Sequence, residues 1–304
     1  MKAMYSALRA FPLLLASFSA LTFAPALAEE ESVGPVIWMP AMNVFRRYAT
    51  DDPTKLFEFY SDVLGHERLT AFDVGGGTSV MRIRAGASEL KFTREVAEQT
   101  YQPGGIDNAT GLRLWTFFYA DTTALSRRFA EYGLPVPQFE PIGDSDRLSA
   151  LVRDPEGELV QLIVTGAAPG TEYDEIEIGL TVSDLQASRD FYRDFVGLDE
   201  LQAVYDPVFE TMKYPFRNGA TTIALRSFAA GLPADTGTGG IQYVVSDVEL
   251  VDRLAEKHDV TIKQPLSGLP GFSLRTIWIG DPDGITNYFA QTGESGRAVS
   301  GSAE

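Results

Sequence analysis

The sequence predicts an α+β fold assembled from four βαβββ units arranged as two tandem pairs. Three observations predict it. The stretch Phe59-Tyr60-Ser61-Asp62-Val63-Leu64-Gly65 returns as Phe191-Tyr192-Arg193-Asp194-Phe195-Val196-Gly197, 132 positions on (191 − 59). The tetrapeptide Asp154-Pro155-Glu156-Gly157 returns as Asp281-Pro282-Asp283-Gly284. An aspartate also opens every expected helix: Asp52 and Asp184 seven residues before their Phe-Tyr pairs, and Asp121 and Asp247, 126 apart (247 − 121). Repetition on this scale marks duplicated supersecondary units.

Taken in order, Val36 to Tyr48 is apolar and β-prone enough for a leading strand. Asp51-Asp52-Pro53 then opens a helix with Leu56, Tyr60 and Val63 on one face. Gly75-Gly76-Gly77 makes a turn, and strands follow around Ser79–Arg84 and Glu89–Thr93. In the second unit a loop from Gly104 to Gly111 leads to a dense apolar strand, Leu112–Tyr119. Asp121 caps a helix through Leu125, Phe129 and Tyr132, closed by Gly133. Strands Arg147–Val152 and Glu158–Val164 flank the Asp-Pro-Glu-Gly turn. Thr165 to Gly170 reads as the linker between domains. Glu175–Val182, Asp184–Val196 and Thr221–Ser227 form the third unit; Gly239–Val245, the helix from Asp247, Leu274–Ile279 and Thr286–Gln291 form the fourth. The polar residues after Gly293 read as a disordered tail.

The chain of 304 residues has room for about two domains. Residues 1–28 read as an export signal: Lys2 and Arg9 precede an apolar core from Phe11 to Leu27, and Ala26-Leu27-Ala28 is a small-x-small cleavage pattern. The run is short and broken for a membrane span, with an uncleaved anchor as the rival reading. The expected domains are therefore 29–168 and 169–293, with a tail at 294–304 and a periplasmic or secreted location. The formal charge is −17, and removing the two basic residues of the signal leaves 23 basic against 42 acidic residues, hence −19. Such a surface repels phosphate backbones and anionic lipid, so nucleic-acid binding, and membrane association after signal cleavage, are disfavoured. The sequence contains no cysteine, which excludes disulfides, thiolate metal sites and a cysteine nucleophile. A small molecule is the expected partner, and a homodimer stays open.

The alternation of Phe-Tyr-x-Asp-x-x-Gly helices with Asp-Pro-acid-Gly hairpins resembles the vicinal oxygen chelate superfamily of glyoxalase I, bleomycin-resistance proteins and extradiol dioxygenases. The resemblance covers about Pro35 to Thr292. It implies that two units pair so that their curled sheets form a cup around a ligand. Members that use a divalent metal carry His, Glu or Gln seven residues before the capping Asp, seven after the hairpin Asp, and on the last strand of the odd units. Here those positions hold Phe45, Glu89, Leu114 and Gln161 for one cup, and Glu177, Ala224, Gly240 and Tyr288 for the other. With no histidine and at most two ligands in either set, no metal or other cofactor is expected, a sparse divalent site being the alternative. Pairing units two and three instead would bring Gln161 to Glu177. His66 and His258 are expected as exposed helix-end residues.

The expected lining is Phe45, Glu89, Phe118 and Gln161 in the first cup and Glu177, Gln242, Arg275 and Tyr288 in the second. Glu177 is the candidate general base and Tyr288 the candidate oxyanion donor. The aromatic connection from Tyr205 through Phe209, Met212 and Tyr214 to Phe216 is a candidate lid, with Tyr214 facing the ligand, or a packing patch. Phe45 and Leu114 also read as core filling. Three functions stay open: a metal-independent binder of a small organic molecule; an enzyme of the lyase, isomerase or ring-cleaving dioxygenase type; and a scaffold with both cups filled, the second domain being the expected place for any site. Asp154, Gly157, Asp281 and Gly284 read as structural turn residues.

Overall fold

Alternation along the leading strands sets the architecture. In β1 (Asn43–Tyr48) the side chain of Val44 enters the apolar core, while Phe45 and Arg47 face the other way. A computed structural model describes residues 31–74, 79–95, 98–167, 173–269 and 271–300. The expected export signal, the Gly75-Gly76-Gly77 turn and the end of the linker lie outside the described residues.

The first unit continues with α1 (Thr54–Glu58), which runs into a π-type turn at Phe59–Val63, then β2 (Glu67–Asp73), β3 (Ser79–Ala85) and β4 (Ser88–Arg94). The second comprises β5 (Gly111–Tyr119), α2 (Thr123–Glu131), β6 (Glu140–Pro141), β7 (Leu148–Arg153) and β8 (Leu159–Val164). The third holds β9 (Ile176–Thr181), α3 (Leu185–Asp190) with a π-type turn at Phe191–Phe195, β10 (Asp199–Glu200), β11 (Val204–Asp206), β12 (Thr211–Asn218) and β13 (Thr221–Arg226). The fourth holds β14 (Gly239–Val244), α4 (Val248–Lys257), β15 (Thr261–Gly268), β16 (Leu274–Gly280), β17 (Thr286–Thr292) and α5 (Gly293–Ser300). Among the described residues no helix is long and apolar enough to cross a membrane.

Two mixed sheets result, and each takes one unit from either half of the chain. One runs β15-β16-β17-β14-β1-β4-β3-β2, joining units one and four through the antiparallel pair of β1 and β14, with Phe45 opposite Gly240. The other runs β10-β12-β13-β9-β5-β8-β7-β6, joining units two and three through β5 and β9, with Thr116 opposite Glu177. A single apolar cluster runs through both sheets. The ring of Tyr60 lies 5.1 Å from Phe92 on β4 and 6.2 Å from Phe117 on β5. Phe195 packs 5.9 Å from Phe289 on β17, and Tyr192 lies 6.1 Å from Phe216 on β12. Burying rings of this size contributes roughly 2–3 kcal/mol each. Both sheets therefore turn one face to this core and leave the other to a cup.

The turns form for local reasons. Asp154 Oδ1 accepts from the N–H groups of Glu156 (2.9 Å) and Glu158 (3.1 Å), and Asp281 Oδ1 from those of Asp283 (3.1 Å) and Ile285 (2.8 Å). Gly65 and Gly197 close the Phe-Tyr turns at φ 86° and 82°, where a side chain is strained. Asp184 and Asp247 cap their helices, each accepting an N–H three residues on at 3.0 Å. Asp52 and Asp121 bond only two residues on, to Thr54 and Thr123, which makes them Asx-turn residues and not the expected caps. The leading strand expected from Val36 begins only at Asn43, because Pro35 and Pro40 cannot donate to a ladder and Gly34–Val36 coils as a 3₁₀ turn. The tail expected to be disordered is helical through Ser300. Its first turn is held by Ser295, whose Oγ accepts from Thr292 N at 2.9 Å while its own N–H reaches Thr292 Oγ1 at 3.1 Å.

Candidate functional site

The cup of the β1/β14 sheet is polar, cationic and walled by aromatic rings. Period-two alternation places Asn43, Phe45 and Arg47 of β1 beside Glu89, Lys91 and Thr93 of β4. The ring of Tyr288 on β17 lies over Gly240, whose missing side chain leaves the space: a Cβ there would stand 2.6 Å from Tyr288 Cε2. Tyr288 is thereby brought 4.7 Å from the Phe45 ring and 5.0 Å from Trp278. Its hydroxyl accepts a 2.5 Å hydrogen bond from Arg47 Nη2.

Further along the floor, Gln242 Oε1 accepts from Lys91 Nζ (2.6 Å) and from Asn43 Nδ2 (3.2 Å). Asn43 Oδ1 in turn takes the Glu89 N–H at 2.9 Å. Glu89 is gripped by Arg82 through Nε (3.0 Å) and Nη2 (2.6 Å), with Lys91 Nζ 3.6 Å away. Burial presses the Glu89 carboxyl upward, but the bonds from Arg82 and the charge of Lys91 outweigh it and hold it below its ordinary range. Burial lowers Lys91, with Glu89 pulling the other way. Back at the Arg47 end Lys263 Nζ donates to Gly284 O (2.7 Å) and Thr286 Oγ1 (2.9 Å); burial holds it below the usual ammonium range, opposed by Asp281 and helped by Arg47.

The β5/β9 cup is filled. Ile106, Leu114 and Leu159 form a buried cluster with Phe209 and Phe228 against it. Gln161 Nε2 donates to Ser149 (3.0 Å) and its oxygen accepts from Thr116 (3.2 Å). Glu177 receives Lys213 Nζ at 3.1 and 2.8 Å and lies 3.4 Å from Arg226, which also pairs with Asp206 at 2.7 Å. Two cations thus face two carboxylates.

The sheet order redistributes the residues expected to share a cup. Glu177 and Gln161 stand together in the β5/β9 cup, apart from Tyr288 and Gln242. Phe45 and Glu89 share the other cup with Tyr288 and Gln242, apart from Gln161 and Leu114. As a general base Glu177 is ill placed, because both of its oxygens are held by Lys213. Phe118 is half-buried in a separate cleft beside His66 and Tyr173. Arg275 faces outward to Glu249 on α4, and Tyr214 turns toward the core and the Arg189 guanidinium, so neither lines a cup. Of the expected lid, Phe209 alone plugs a cup; Tyr205 and Met212 are exposed and Phe216 is core.

Both histidines differ from expectation. His66 is packed 4.7 Å from the Phe117 ring, with Nε2 buried and without a hydrogen-bond partner; burial and then Arg128 push its pKa down to about 4. His258 is half-buried, its Nε2 2.7 Å from Glu31 O, and packs edge-on to Phe195. The residues missed from sequence are Arg47, Lys91 and Lys263. Alternation from Phe45 and Glu89 would have found the first two.

Neither cup suits a divalent metal. Among the described residues no three His, Asp or Glu side chains are grouped so that they could hold a metal ion. The carboxylate at each expected position, Glu89 or Glu177, already lies within ion-pair reach of a lysine, Lys91 at 3.6 Å and Lys213 at 2.8 Å. A metal ion there would face an ammonium charge in a partly desolvated space.

Comparison with known proteins fits this architecture. The chain has no match among curated proteins. Glyoxalase I from Zea mays shares 18% identity, with 83% of this chain and 92% of that chain covered, at a TM-score of 0.63. A candidate dioxygenase from Bacillus subtilis subsp. subtilis str. 168 shares 13% identity over 87% of each chain, at a TM-score of 0.56. Both are likenesses of fold. The model of one family matches twice in tandem, over residues 42–162 and 176–289. The chain belongs to the Glyoxalase/Bleomycin resistance protein/Dioxygenase superfamily.

Proposed function

We propose that this protein is an exported member of the superfamily that holds a small organic molecule in the β1/β14 cup without a divalent metal. The observation that carries the reading is the contrast between the cups. One is plugged by Leu114, Leu159 and Phe209 and balances its charges internally. The other keeps an aromatic wall of Phe45, Tyr288 and Trp278 above a floor of hydrogen-bonding side chains. Apolar walls with a few converging polar groups are how small-molecule sites are built. Lys91 supplies the positive charge that a metal would bring elsewhere. Export rests on the composition of residues 1–28 and places the protein in the periplasm or outside the cell.

The test is a thermal-shift screen of mature protein against small aromatic and aliphatic compounds, with and without chelator. Hits should survive chelator, vanish in Phe45→Ala and persist in Leu159→Ala. Hits lost with chelator, or indifferent to Phe45→Ala, would overturn the reading.

A second reading, an enzyme of the lyase, isomerase or dioxygenase type, draws on Tyr288. Because Arg47 donates to its oxygen, the phenolic proton is left to point at a ligand and stabilise a developing oxyanion. Turnover that Tyr288→Phe abolishes, with ligand affinity retained, would establish it.

A further inference from the structure

Arg47 stands out among the buried cations. It is 8% exposed, yet among the described residues no carboxylate lies within ion-pair distance of it. The other three buried guanidinium groups each have one: Arg46 meets Asp154 at 2.8 Å, Arg113 meets Asp235 at 2.5 Å and Arg226 meets Asp206 at 2.7 Å. Lys91, also buried, has Glu89 at 3.6 Å. Among the described residues Arg47 has only the neutral Tyr288 hydroxyl as a side-chain partner, and its Nε is buried with no hydrogen-bond partner. A fold that pairs its other buried cations leaves this one open, although carboxylates outnumber basic residues 42 to 25. A buried, uncompensated guanidinium is costly to leave unpaired unless an anion completes it.

The surroundings are also incomplete. Thr93, directly beside Arg47 on β4, has a buried hydroxyl without a hydrogen-bond partner. Gln99 Oε1 is buried and unpartnered near Thr286, which also takes the Lys263 ammonium. The aromatic rings of Phe45 and Tyr288 adjoin this end, with Tyr288 touching both Phe45 and Arg47.

We infer that Arg47, with Thr93 and Lys263, forms an oxyanion subsite, so that the ligand carries a carboxylate or phosphonate joined to a flat apolar body against Phe45 and Tyr288. The inference rests on the reading of this cup as a ligand site. The guanidinium Nε–H and the Lys263 ammonium supply donors to the anionic oxygens, and the Thr93 hydroxyl donates a third bond. The body of the ligand stacks where Trp278 and Tyr288 meet.

The experiment compares benzoate, phenylphosphonate and the neutral isostere benzamide by calorimetry and thermal shift, on wild-type protein, Arg47→Gln and Arg47→Lys. Losing a charge-assisted contact of this kind weakens binding about ten- to a hundredfold. At least one of the two anions should therefore bind that much tighter than benzamide. Arg47→Gln should erase the preference while the melting temperature holds or rises, since an uncompensated buried charge has been removed. Arg47→Lys should keep part of the preference. Benzamide binding as tightly as the anions, or a preference that survives Arg47→Gln, would overturn the subsite and leave the cup standing as a ligand site. If none of the three probes binds, the subsite and the cup reading fall together. A melting temperature that drops in both variants would assign Arg47 a structural role and overturn the subsite.

Discussion

Tyr192 donates its phenolic hydrogen to Asp281 across 2.9 Å, and Tyr60 makes the same bond to Asp154 at 3.0 Å. The two repeated motifs of the sequence are therefore partners. The tyrosine of each Phe-Tyr helix satisfies the carboxylate of the next unit's hairpin. These bonds tie unit one to two and three to four, while the sheets tie one to four and two to three.

The two copies differ in charge, and this yields a pH dependence. Asp154 has Arg46 at 2.8 Å. The position 132 residues after Arg46 is Ile178, so among the described residues no cation is ion-paired with Asp281, Lys263 acting only from further off, and burial pushes the Asp281 pKa up to about 7 against the pull of Tyr192 and the Ile285 N–H. Between about pH 4 and 7 the unfolded chain releases this proton and the native state keeps it. The stabilisation is complete below pH 4 and is lost as pH rises through 7, by on the order of 4 kcal/mol. Glu158, pushed by burial to about 7, acts in the same direction. Urea denaturation should show lower stability at pH 8 than at pH 5, with the difference reduced by about half in Asp281→Asn, Glu158 supplying the rest. An equal difference in the variant would refute the assignment.

Glu177→Gln separates the two cups. In wild-type protein Glu177 holds Lys213 and lies beside the fully buried Arg226. Removing one partner of such a network costs roughly 3–5 kcal/mol, the lower end applying here because Arg226 keeps Asp206. The variant should lose stability and keep its response to ligands of the β1/β14 cup. Abolished ligand response in a folded variant would return Glu177 to the site.

Much of the fold was legible because it is local. Capping aspartates, hairpin tetrapeptides and Phe-Tyr turns fix their own conformations through bonds to residues two to four away. The pairing of units was not legible, because β1, β5, β9 and β14 are near-equivalent strands and any two can meet antiparallel. That is why Glu177 was set beside Tyr288 and Phe45 beside Leu114. The cationic floor escaped because the metal positions direct attention to Phe45 and Glu89, while the charges stand two residues on, at Arg47 and Lys91. His66 escaped because nothing near Gly65 announces that Phe117, on another sheet, will cover it.

Gly240→Ala probes the wall of the cup. A Cβ would sit 2.6 Å from the Tyr288 ring and 2.9 Å from the Thr286 carbonyl oxygen. The ring must move, which breaks the 2.5 Å bond from Arg47 and alters the Trp278 contact. Overpacking of this kind costs about 1–3 kcal/mol. Expected are a lower melting temperature, a shift in tryptophan emission and weaker ligand binding. Unchanged emission and binding would place the ligand away from Tyr288.

Elemental analysis of untagged mature protein, purified without chelator, tests the charge argument directly. Glu89 accepts two bonds from Arg82 and lies 3.6 Å from the Lys91 ammonium, while Gln242 is occupied by Lys91 at 2.6 Å. A divalent ion would have to displace a lysine that is itself hydrogen-bonded, and then be held by one carboxylate and neutral amides, fewer strong ligands than catalytic sites use. Mass spectrometry should find no stoichiometric nickel, zinc, manganese or iron. Lys91→Met should also stay metal-free and lose about 1–2 kcal/mol of stability, because the Gln242 carbonyl is left without its charged donor. About one equivalent of metal in wild-type protein would mean that Lys91 swings out of the cup and that Glu89 serves as a ligand.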